Sequence, residues 1–352
     1  MTSTSRPAIN ASVVDLFCGA GGLSYGFKAE SFAVVGGIDI DEKCRFPYER
    51  NNEAPFLRRD VASLTPKEVK SLFLPGTARV MVGCAPCQPF STYNQKNKDP
   101  KWQLLGAFGK LIDEVRPDIV SMENVPRLLI FRAGSVFEEF VATLRKAKYH
   151  VVWDVLYGPD FGLAQKRSRL VLLASRLGPI TLPRPTYKGR HRTVRDEIGK
   201  LRPLAHGEID KLDSLHRASG LSPINSQRIA SAKAGGTWRD WRRELVAECH
   251  KAESGRGYSS VYGRMSWEEP SPTITTQFYG FGNGRFGHPE QDRGLSLREG
   301  ALLQGFPRDY EFVPPGDQIH FKNLGRLIGN AVPVKLAKAI ARAVKSHIEE
   351  NA

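Results

Sequence analysis

The sequence predicts an α/β fold, in which a mostly parallel sheet is accompanied by a smaller, loop-rich second domain. Three observations support this prediction. Short apolar, β-branched runs alternate with helical patterns up to about residue 175. A glycine-rich turn directly follows the first of these runs. From about residue 176 the periodicity weakens, and prolines, glycines and short basic stretches dominate.

The predicted elements of the first half follow one another in strand–helix order. Residues 13–17 form a first strand, residues 32–38 a second, and a helix ending near residue 29 joins them. A third strand is expected just before Asp60. Apolar runs predict further strands at residues 80–82, 118–122, 151–156 and 170–174. Alternation of this kind is typical of a parallel sheet that helices cover on both faces.

Two segments show the spacing of amphipathic helices. The first lies between two predicted strands and has its apolar residues at Leu104, Leu105, Phe108, Leu111, Ile112 and Val115. The second covers residues 334–348 and returns the chain to the first domain. We therefore assign residues 1–184 and 310–352 to the first domain and residues 185–309 to the second.

The net charge of the 352-residue chain is +14. Such a surplus favours a polyanionic partner such as nucleic acid, with simple solubility as the alternative. The second domain contributes to it, since residues 176–292 hold 19 Lys and Arg against 13 Asp and Glu. No apolar run approaches the ~20 residues of a membrane span, and the polar N-terminus lacks a secretory pattern. Five cysteines, an odd number, favour reduced thiols in the bacterial cytoplasm, or in the nucleus of a eukaryote.

The glycine-rich turn is a candidate ligand site. Residues 15–22 are Asp-Leu-Phe-Cys-Gly-Ala-Gly-Gly, so the turn begins at Phe17 and opens a helix. Asp39 ends the second strand, where its carboxylate can accept hydrogen bonds from ribose hydroxyls, and Asp60 is a further candidate. The glycine spacing differs from the GxGxxG of dinucleotide sites. NAD, FAD, S-adenosylmethionine and a turn without a ligand all remain open at this point.

A cysteine-containing loop follows the strand at residues 80–82. Cys84 and Cys87 could form half of a zinc site or a redox dithiol, and an inert buried cysteine is a third possibility. No second Cys-x-x-Cys pair exists, so we predict no metal site. The polar, proline-rich residues that follow favour a fourth interpretation, in which Cys87 is a single nucleophilic thiolate.

The chain resembles the DNA (cytosine-5)-methyltransferase family, of the bacterial type II kind. The match covers roughly residues 13–175 and 264–345, and its six motifs occur in the family order. They are the turn from Asp15, Pro86-Cys87-Gln88 with Phe90-Ser91, Glu123-Asn124-Val125, residues 165–169, residues 293–307, and residues 329–333. Ala85 departs from the family pattern, in which many members have a second proline, and Cys84 is an extra thiol.

The resemblance implies a methyltransferase fold of the S-adenosylmethionine-dependent type and a target-recognition domain at residues 185–309. Cys87 would attack carbon 6 of cytosine, and Glu123 would donate to ring nitrogen N3. That donation requires a carboxyl kept protonated by burial. Asn124 would hold the Pro86-Cys87 loop. Gln88, Arg167 and Arg169 complete the expected catalytic set, with Arg169 at the base carbonyl and Arg167 bracing the loop.

The resemblance also implies which residues contact the cofactor, S-adenosylmethionine, whose product is S-adenosylhomocysteine. They are Phe17, Cys18, Gly19, Ala20, Gly21, Gly22, Leu23, Asp39, Ile40, Asp60, Val61, Pro86, Leu104, Asn330 and Val332.

Duplex DNA is the expected substrate, and the target base must rotate out of the stack to react. Residues 91–101 are predicted to form a closing loop in which Ser91, Lys96 and Lys98 meet phosphates, although an ordinary solvated loop is the alternative. In the second domain Arg239, Arg242, Arg243 and Arg285 are candidates for contacts with DNA. Trp238 and Trp241 fit a core better than base stacking.

Two alternatives accompany this prediction. A transfer RNA cytosine-5 methyltransferase would share the fold, but the Cys-Phe-Thr tripeptide of that subfamily does not occur. A non-catalytic DNA-binding relative would not need Cys87, Glu123 and both arginines together. We expect a monomer that acts beside a cognate restriction endonuclease. The sequence does not identify the recognised site.

Overall fold

A computed structural model of the chain describes residues 9–86, 100–258 and 260–351. The chain forms two compact units. Unit 1 comprises Met1–Tyr157, Ser168–Pro185 and Ala331–Ala352, and unit 2 comprises Gly158–Arg167 and Thr186–Asn330. Among the described residues, no helix has the length and apolar character needed to span a bilayer.

Unit 1 contains a seven-stranded sheet. The strands are β1 (Ala11–Leu16), β2 (Ala33–Asp39), β3 (Phe56–Arg58), β4 (Ala78–Gly83), β5 (Ile119–Asn124), β6 (His150–Tyr157) and β7 (Ser168–Ser175). Their order across the sheet is β3-β2-β1-β4-β5-β7-β6, and the first five of that order are parallel. The predicted α/β class with a mostly parallel sheet is therefore confirmed, including the short third strand before Asp60.

The last two strands run against the others. β7 is antiparallel to both β5 and β6. The link between β6 and β7, residues 158–167, contains only a 3₁₀ turn at Gly158–Phe161. A parallel crossover needs about a dozen or more residues and usually a helix, so this short link allows only an antiparallel return.

The helices, in chain order, are α1 (Gly22–Lys28), α2 (Arg45–Asn52), α3 (Pro66–Lys70), α4 (Gln103–Val115), α5 (Ser135–Lys146), α6 (Val194–Ile198), α7 (Pro223–Ala230), α8 (Glu248–Lys251), α9 (Glu253–Arg256), α10 (Leu297–Leu303), α11 (Phe321–Asn330) and α12 (Val334–Glu350). The predicted helices after the glycine-rich turn, at residues 104–115 and at residues 334–348 correspond to α1, α4 and α12. Helix α5 was not predicted, although its buried residues recur at helical spacing.

Helices cover the sheet of unit 1 and form its core with the strands. Every residue of β1 and β5 is buried, as expected for strands with both faces covered. Phe108 of α4 packs on Phe140 of α5, with ring centroids 5.7 Å apart. α1 packs on α12. A side chain at Gly26 would overlap with Ala337 of α12, so this close approach requires glycine.

Unit 2 has short helices, long loops and a core of its own. Trp238 and Trp241 are buried with Ile229 and Phe281, so the prediction that both tryptophans belong to a core is confirmed. Most strand-like pairing in this unit is limited to isolated bridges. Its described residues contain a buried ion pair between Arg293 and Glu299. The assignment of catalysis and target recognition to separate domains stays a prediction.

Candidate active site

The loop after β4 is anchored to the end of β5. The two strands pair in parallel, with Gly83 opposite Met122, so the next residues of each chain segment meet. The thiol of Cys84 donates to Oε2 of Glu123 across 2.8 Å. The side-chain amide of Asn124 donates to the carbonyl oxygen of Ala85 across 3.1 Å. Two consecutive residues of β5 thus hold two consecutive residues of the loop.

The predicted nucleophile follows this anchored segment. Pro86, half-buried, is the last described residue before the gap at residues 87–99. Cys87 and Gln88 lie outside the described residues, as do Ser91, Lys96 and Lys98. The structure therefore positions the beginning of the loop that carries Cys87.

Glu123 is buried, with 2% of its surface exposed. Arg169 on the neighbouring strand β7 places its Nε 2.8 Å from Oε1 of Glu123. This contact is an ion pair without hydrogen-bond geometry, and Oε1 has no hydrogen-bond partner among the described residues. An unsatisfied buried oxygen is costly, so Oε1 of Glu123 is a candidate for a hydrogen bond with a ligand.

The two arginines of the predicted motif have different surroundings. Arg169 belongs to unit 1, where it also donates to the carbonyl oxygen of Ser168 across 2.8 Å. Arg167 belongs to unit 2 and is buried there, donating to the carbonyl oxygens of Ile274 at 3.0 Å and Gly329 at 3.4 Å. Arg167 therefore braces three chain segments of unit 2, while Arg169 contacts the carboxyl group of Glu123.

The glycine-rich turn lies against the end of β2. Phe17, Gly19 and Gly21 all have positive φ, at 58°, 53° and 88°. Glycine adopts this conformation without strain, whereas Phe17 does so at a cost. The amide of Gly19 donates to Oδ2 of Asp39 across 3.0 Å, which fixes the turn beside that carboxylate.

The end of β2 offers a carboxylate and an open apolar side chain. Burial raises the pKa of Asp39, and hydrogen bonds from the amides of Asp41 and Gly19 oppose that rise. Ile40, the next residue, is 64% exposed. Because the carboxyl ends of β1, β2, β4 and β5 lie at one edge of the sheet, the turn, Asp39 and Glu123 share that edge.

The glycine-rich turn, Asp39 and Ile40 fit S-adenosylmethionine. Asp39 can accept hydrogen bonds from ribose hydroxyls, the exposed side chain of Ile40 can cover an adenine ring, and the glycines of the turn allow the backbone to approach a ligand closely. Asp60 is exposed, and its carboxylate accepts from the amide of Ala62 at 3.0 Å. Val61 is buried in the core of unit 1.

The other predicted cofactor residues have varied surroundings. Those of the turn and α1 are buried, namely Cys18, Ala20, Gly21, Gly22 and Leu23. Leu104 is half-buried in the first turn of α4. Asn330 ends α11 in unit 2 and is exposed, whereas Val332 is buried in unit 1.

Asp15 is a functional candidate that was predicted only as the first residue of the glycine-rich motif. Burial raises the pKa of this carboxyl to about 7. Ser24 donates to its Oδ2 across 2.6 Å, while Oδ1 has no hydrogen-bond partner among the described residues. The available signal was an acidic residue inside an otherwise apolar, buried strand.

The predicted DNA-contacting arginines are distributed over the loops of unit 2. Arg239 is exposed and stacks over the ring of Trp238 at 5.3 Å. Arg242 and Arg243 are exposed, and Arg242 lies 3.5 Å from Glu244. Arg285 is half-buried and donates to the carbonyl oxygen of Gly235.

Comparisons with known proteins agree with one another. The model of the family "C-5 cytosine-specific DNA methylase" matches residues 11–346. The type II methylase M.HgiDII of Herpetosiphon aurantiacus is 50% identical over 96% of both chains. The type II methyltransferase M1.HphI of Haemophilus parahaemolyticus is 31% identical, over 96% of this chain and 87% of its own.

Solved structures show the same fold. A candidate DNA modification methyltransferase encoded within an E. coli prophage superposes with a TM-score of 0.75 at 20% identity, covering 96% of this chain and 99% of its own. The S. pombe Dnmt2 methyltransferase gives a TM-score of 0.57 at 19% identity, covering 96% and 98%. At these identities the likeness concerns the fold alone, which is that of methyltransferases.

Proposed function

This chain belongs to the C-5 cytosine-specific DNA methylase family and is a DNA (cytosine-5)-methyltransferase of type II, and we propose how it carries out that reaction. In our proposal the target is one cytosine within a specific short duplex sequence. The reaction passes through a covalent bond between Cys87 and carbon 6 of that base.

The proposal starts from the poor nucleophilicity of carbon 5 of cytosine. When the Cys87 thiolate adds to carbon 6, the ring loses its conjugation and carbon 5 becomes electron-rich. Carbon 5 then takes the methyl group, a base removes the proton from carbon 5, and the bond to Cys87 breaks. Anchoring of Cys84 and Ala85 by β5 supports this role, because it fixes the start of the Cys87 loop.

The observation that carries the proposal is the buried Oε1 of Glu123, which has no hydrogen-bond partner among the described residues. As Cys87 adds to carbon 6, negative charge builds on the pyrimidine ring. A protonated Oε1 would donate to ring nitrogen N3 and neutralise that charge. The ring nitrogen in turn would complete the hydrogen bonding of this oxygen.

The neighbouring side chains have supporting roles. Arg169 keeps N–H groups beyond its contacts with Glu123 and Ser168, and we assign one of them to the base carbonyl. Arg167 braces unit 2, and Asn124 holds the loop at Ala85. Gln88, next to the nucleophile, is proposed to contact the flipped nucleotide.

S-adenosylmethionine supplies the methyl group when it is bound. We propose that Asp39 holds its ribose and that Ile40 covers its adenine, with Phe17, Leu104 and the glycines of the turn lining the same cleft. Asp60 with Val61, Pro86, and Asn330 with Val332 complete the proposed set.

DNA binding would depend on the net positive charge of the chain and on specific loop residues. The overall charge of +14 favours a polyanion, and each Lys or Arg on a phosphate adds affinity at low salt. Ser91, Lys96 and Lys98 are proposed to close on the backbone around the flipped base, and residues 185–309 to read the sequence. Arg239, Arg242 and Arg243 are exposed enough to do so, whereas Arg285 would first have to release Gly235.

The biological setting follows from the type II relatives. We propose that a cognate restriction endonuclease cuts the same DNA site in the unmethylated state. We also propose that the methylase is a monomer in the bacterial cytoplasm.

The test uses duplex DNA that carries 5-fluorocytosine, with purified protein and S-adenosylmethionine. Fluorine cannot leave carbon 5 as a proton would, so the protein should remain covalently bound to DNA. The adduct should require the cofactor, disappear in Cys87→Ser and persist in Cys249→Ser, a control at an exposed cysteine. If mixed-sequence DNA gives no adduct while the cofactor still binds, the covalent mechanism on DNA is wrong.

A further inference from the structure

Cys84 makes a contact that the reaction does not by itself require. Its thiol donates to Oε2 of Glu123 at 2.8 Å, while Oε1 of the same carboxyl lies beside Arg169 without a hydrogen bond from a described residue. The carboxyl is buried, with 2% of its surface exposed. Oε2 of Glu123 therefore has a hydrogen-bond donor, whereas Oε1 has none among the described residues.

We propose that Cys84 is a positioning residue, whose thiol holds Oε2 of Glu123 and so presents Oε1 to ring nitrogen N3 of the flipped cytosine. This inference rests on the proposed function and deepens it. The motif resemblance gave Cys84 no role other than an extra thiol next to the nucleophile.

The chemistry of the carboxyl explains why the contact matters. A protonated carboxyl has one oxygen that donates and one that accepts. Without neighbouring groups, either oxygen could carry the proton. The thiol at Oε2 makes that oxygen an acceptor, and Oε1, whose contact with Arg169 is not a hydrogen bond, is then the oxygen that carries the proton for N3. The proton then moves from Oε1 to N3 as the Cys87–carbon 6 bond forms, and the charge of the ring is neutralised.

The position of Cys84 relative to Glu123 is set by the pairing of β4 with β5. Parallel pairing of Gly83 with Met122 brings the residues that follow, Cys84 and Glu123, together at the carboxyl end of the sheet. The amide of Cys84 also donates to the carbonyl oxygen of Leu16 at 3.4 Å, which ties the same residue to β1. Strand geometry thus sets the position of the thiol.

The first test compares steady-state methylation by Cys84→Ala, Cys84→Ser and the wild type. A thiol is a weak donor, so removing it should lower kcat about three- to tenfold and leave the KM values for DNA and cofactor within about twofold. Serine restores a donor at nearly the same place and should recover most of kcat. Cys249→Ala, at an exposed cysteine, is the matched control.

A purely structural role would give a different result. If packing alone mattered, serine would not rescue kcat, and the KM values or the thermal stability would change along with it. Unchanged kcat in Cys84→Ala, or failure of serine to rescue it in a folded protein, would overturn the proposal.

A double-mutant cycle tests whether Cys84 acts through Glu123 or through a separate effect on the active site. Single-turnover rates are measured for Cys84→Ser and Cys84→Ala with and without Glu123→Ala. If Cys84 acts through Glu123, the rates of Cys84→Ser and Cys84→Ala should become equal in the Glu123→Ala background. A difference that persists there would refute the proposed role of Cys84. Failure of the proposed function is distinct, because the wild type would then form no adduct with 5-fluorocytosine DNA.

Discussion

Two pairs of glutamate and arginine, one in each unit, differ in how completely the glutamate is hydrogen-bonded. In unit 2, Glu299 and Arg293 are 1% and 0% exposed and make two parallel hydrogen bonds of 2.7 Å. In unit 1, Glu123 and Arg169 meet through one ion-pair contact, and the carboxyl accepts its hydrogen bond from a thiol instead.

The two glutamates differ in whether both of their carboxyl oxygens accept hydrogen bonds. Glu299 also accepts from the amide of Ser296 at 2.7 Å as part of a capping box at the start of α10. Burial acts to raise the pKa of Glu299, but the hydrogen bonds and charge of Arg293 dominate and lower it to about 2. Glu123 instead keeps one oxygen without a hydrogen bond among its described neighbours. We infer that the first pair stabilises the fold and that the second is kept incomplete for a substrate.

The largest expected effect is on folding, in Glu299→Gln. Removing this carboxylate leaves the buried charge of Arg293 without its partner, which should lower the free energy of unfolding by about 3–5 kcal/mol at pH 7. Denaturant unfolding followed by tryptophan fluorescence measures the change, since Trp238 and Trp241 lie in the core of unit 2.

The pH dependence gives the control for that prediction. A carboxyl whose pKa falls from 4.5 to about 2 on folding stabilises the protein above pH 4.5 and loses this contribution as the pH falls through 2. The difference between Glu299→Gln and the wild type should therefore shrink over that range. A difference that stays constant with pH would contradict the assignment to this ion pair.

The second effect is on catalysis, in Glu123→Gln. A glutamine amide can donate to N3 but cannot transfer a proton, so we expect kcat to fall about 100-fold or more. The loss of unfolding free energy should be smaller than for Glu299→Gln, because Arg169 retains its bond to Ser168. Methylation rates and unfolding curves on both variants measure the contrast. Equal losses of stability would remove the distinction between the two pairs.

A third prediction extends the comparison to Asp15, another incompletely satisfied carboxyl of unit 1. Its pKa rises from 3.8 to about 7 on folding, so its contribution to stability is full below pH 4 and is lost as the pH rises through 7. Asp15→Asn removes this titration. The variant should gain about 3 kcal/mol relative to the wild type between pH 5 and pH 8. Unfolding curves at both pH values test this, and parallel pH profiles for the two proteins would count against a buried, titrating Asp15.

Much of unit 1 was predictable because its signals are local. The apolar runs of β1 and β5, the turn at Gly19 and the spacing in α4 each follow from a few neighbouring residues. The antiparallel direction of β7 was not predicted, although the shortness of its link to β6 implies it.

The site was less predictable because its key contacts join distant segments. The thiol of Cys84 and the carboxyl of Glu123 are 39 residues apart, and only strand register brings them together. In unit 2, Arg264 is buried and donates to the carbonyl oxygens of Ile229, Ala232 and His288, which the residues around it in the sequence do not predict. Irregular loops lack the periodicity from which such burial could be inferred.

The smallest effect expected from the comparison is on cofactor binding, in Ile40→Ala. If unit 1 exposes groups for ligands, removing the exposed side chain of Ile40 should weaken cofactor binding without changing the stability of the fold. Covering the exposed face of Ile40 would contribute about 1 kcal/mol, so the dissociation constant of S-adenosylmethionine should rise roughly five- to tenfold. Titration calorimetry measures the affinity, and thermal unfolding without ligand should be nearly unchanged. Leu74→Ala is the matched control, because Leu74 is 46% exposed but precedes β4, away from the carboxyl ends of the strands. Equal binding by both variants would show that the exposure of Ile40 has no connection with the cofactor.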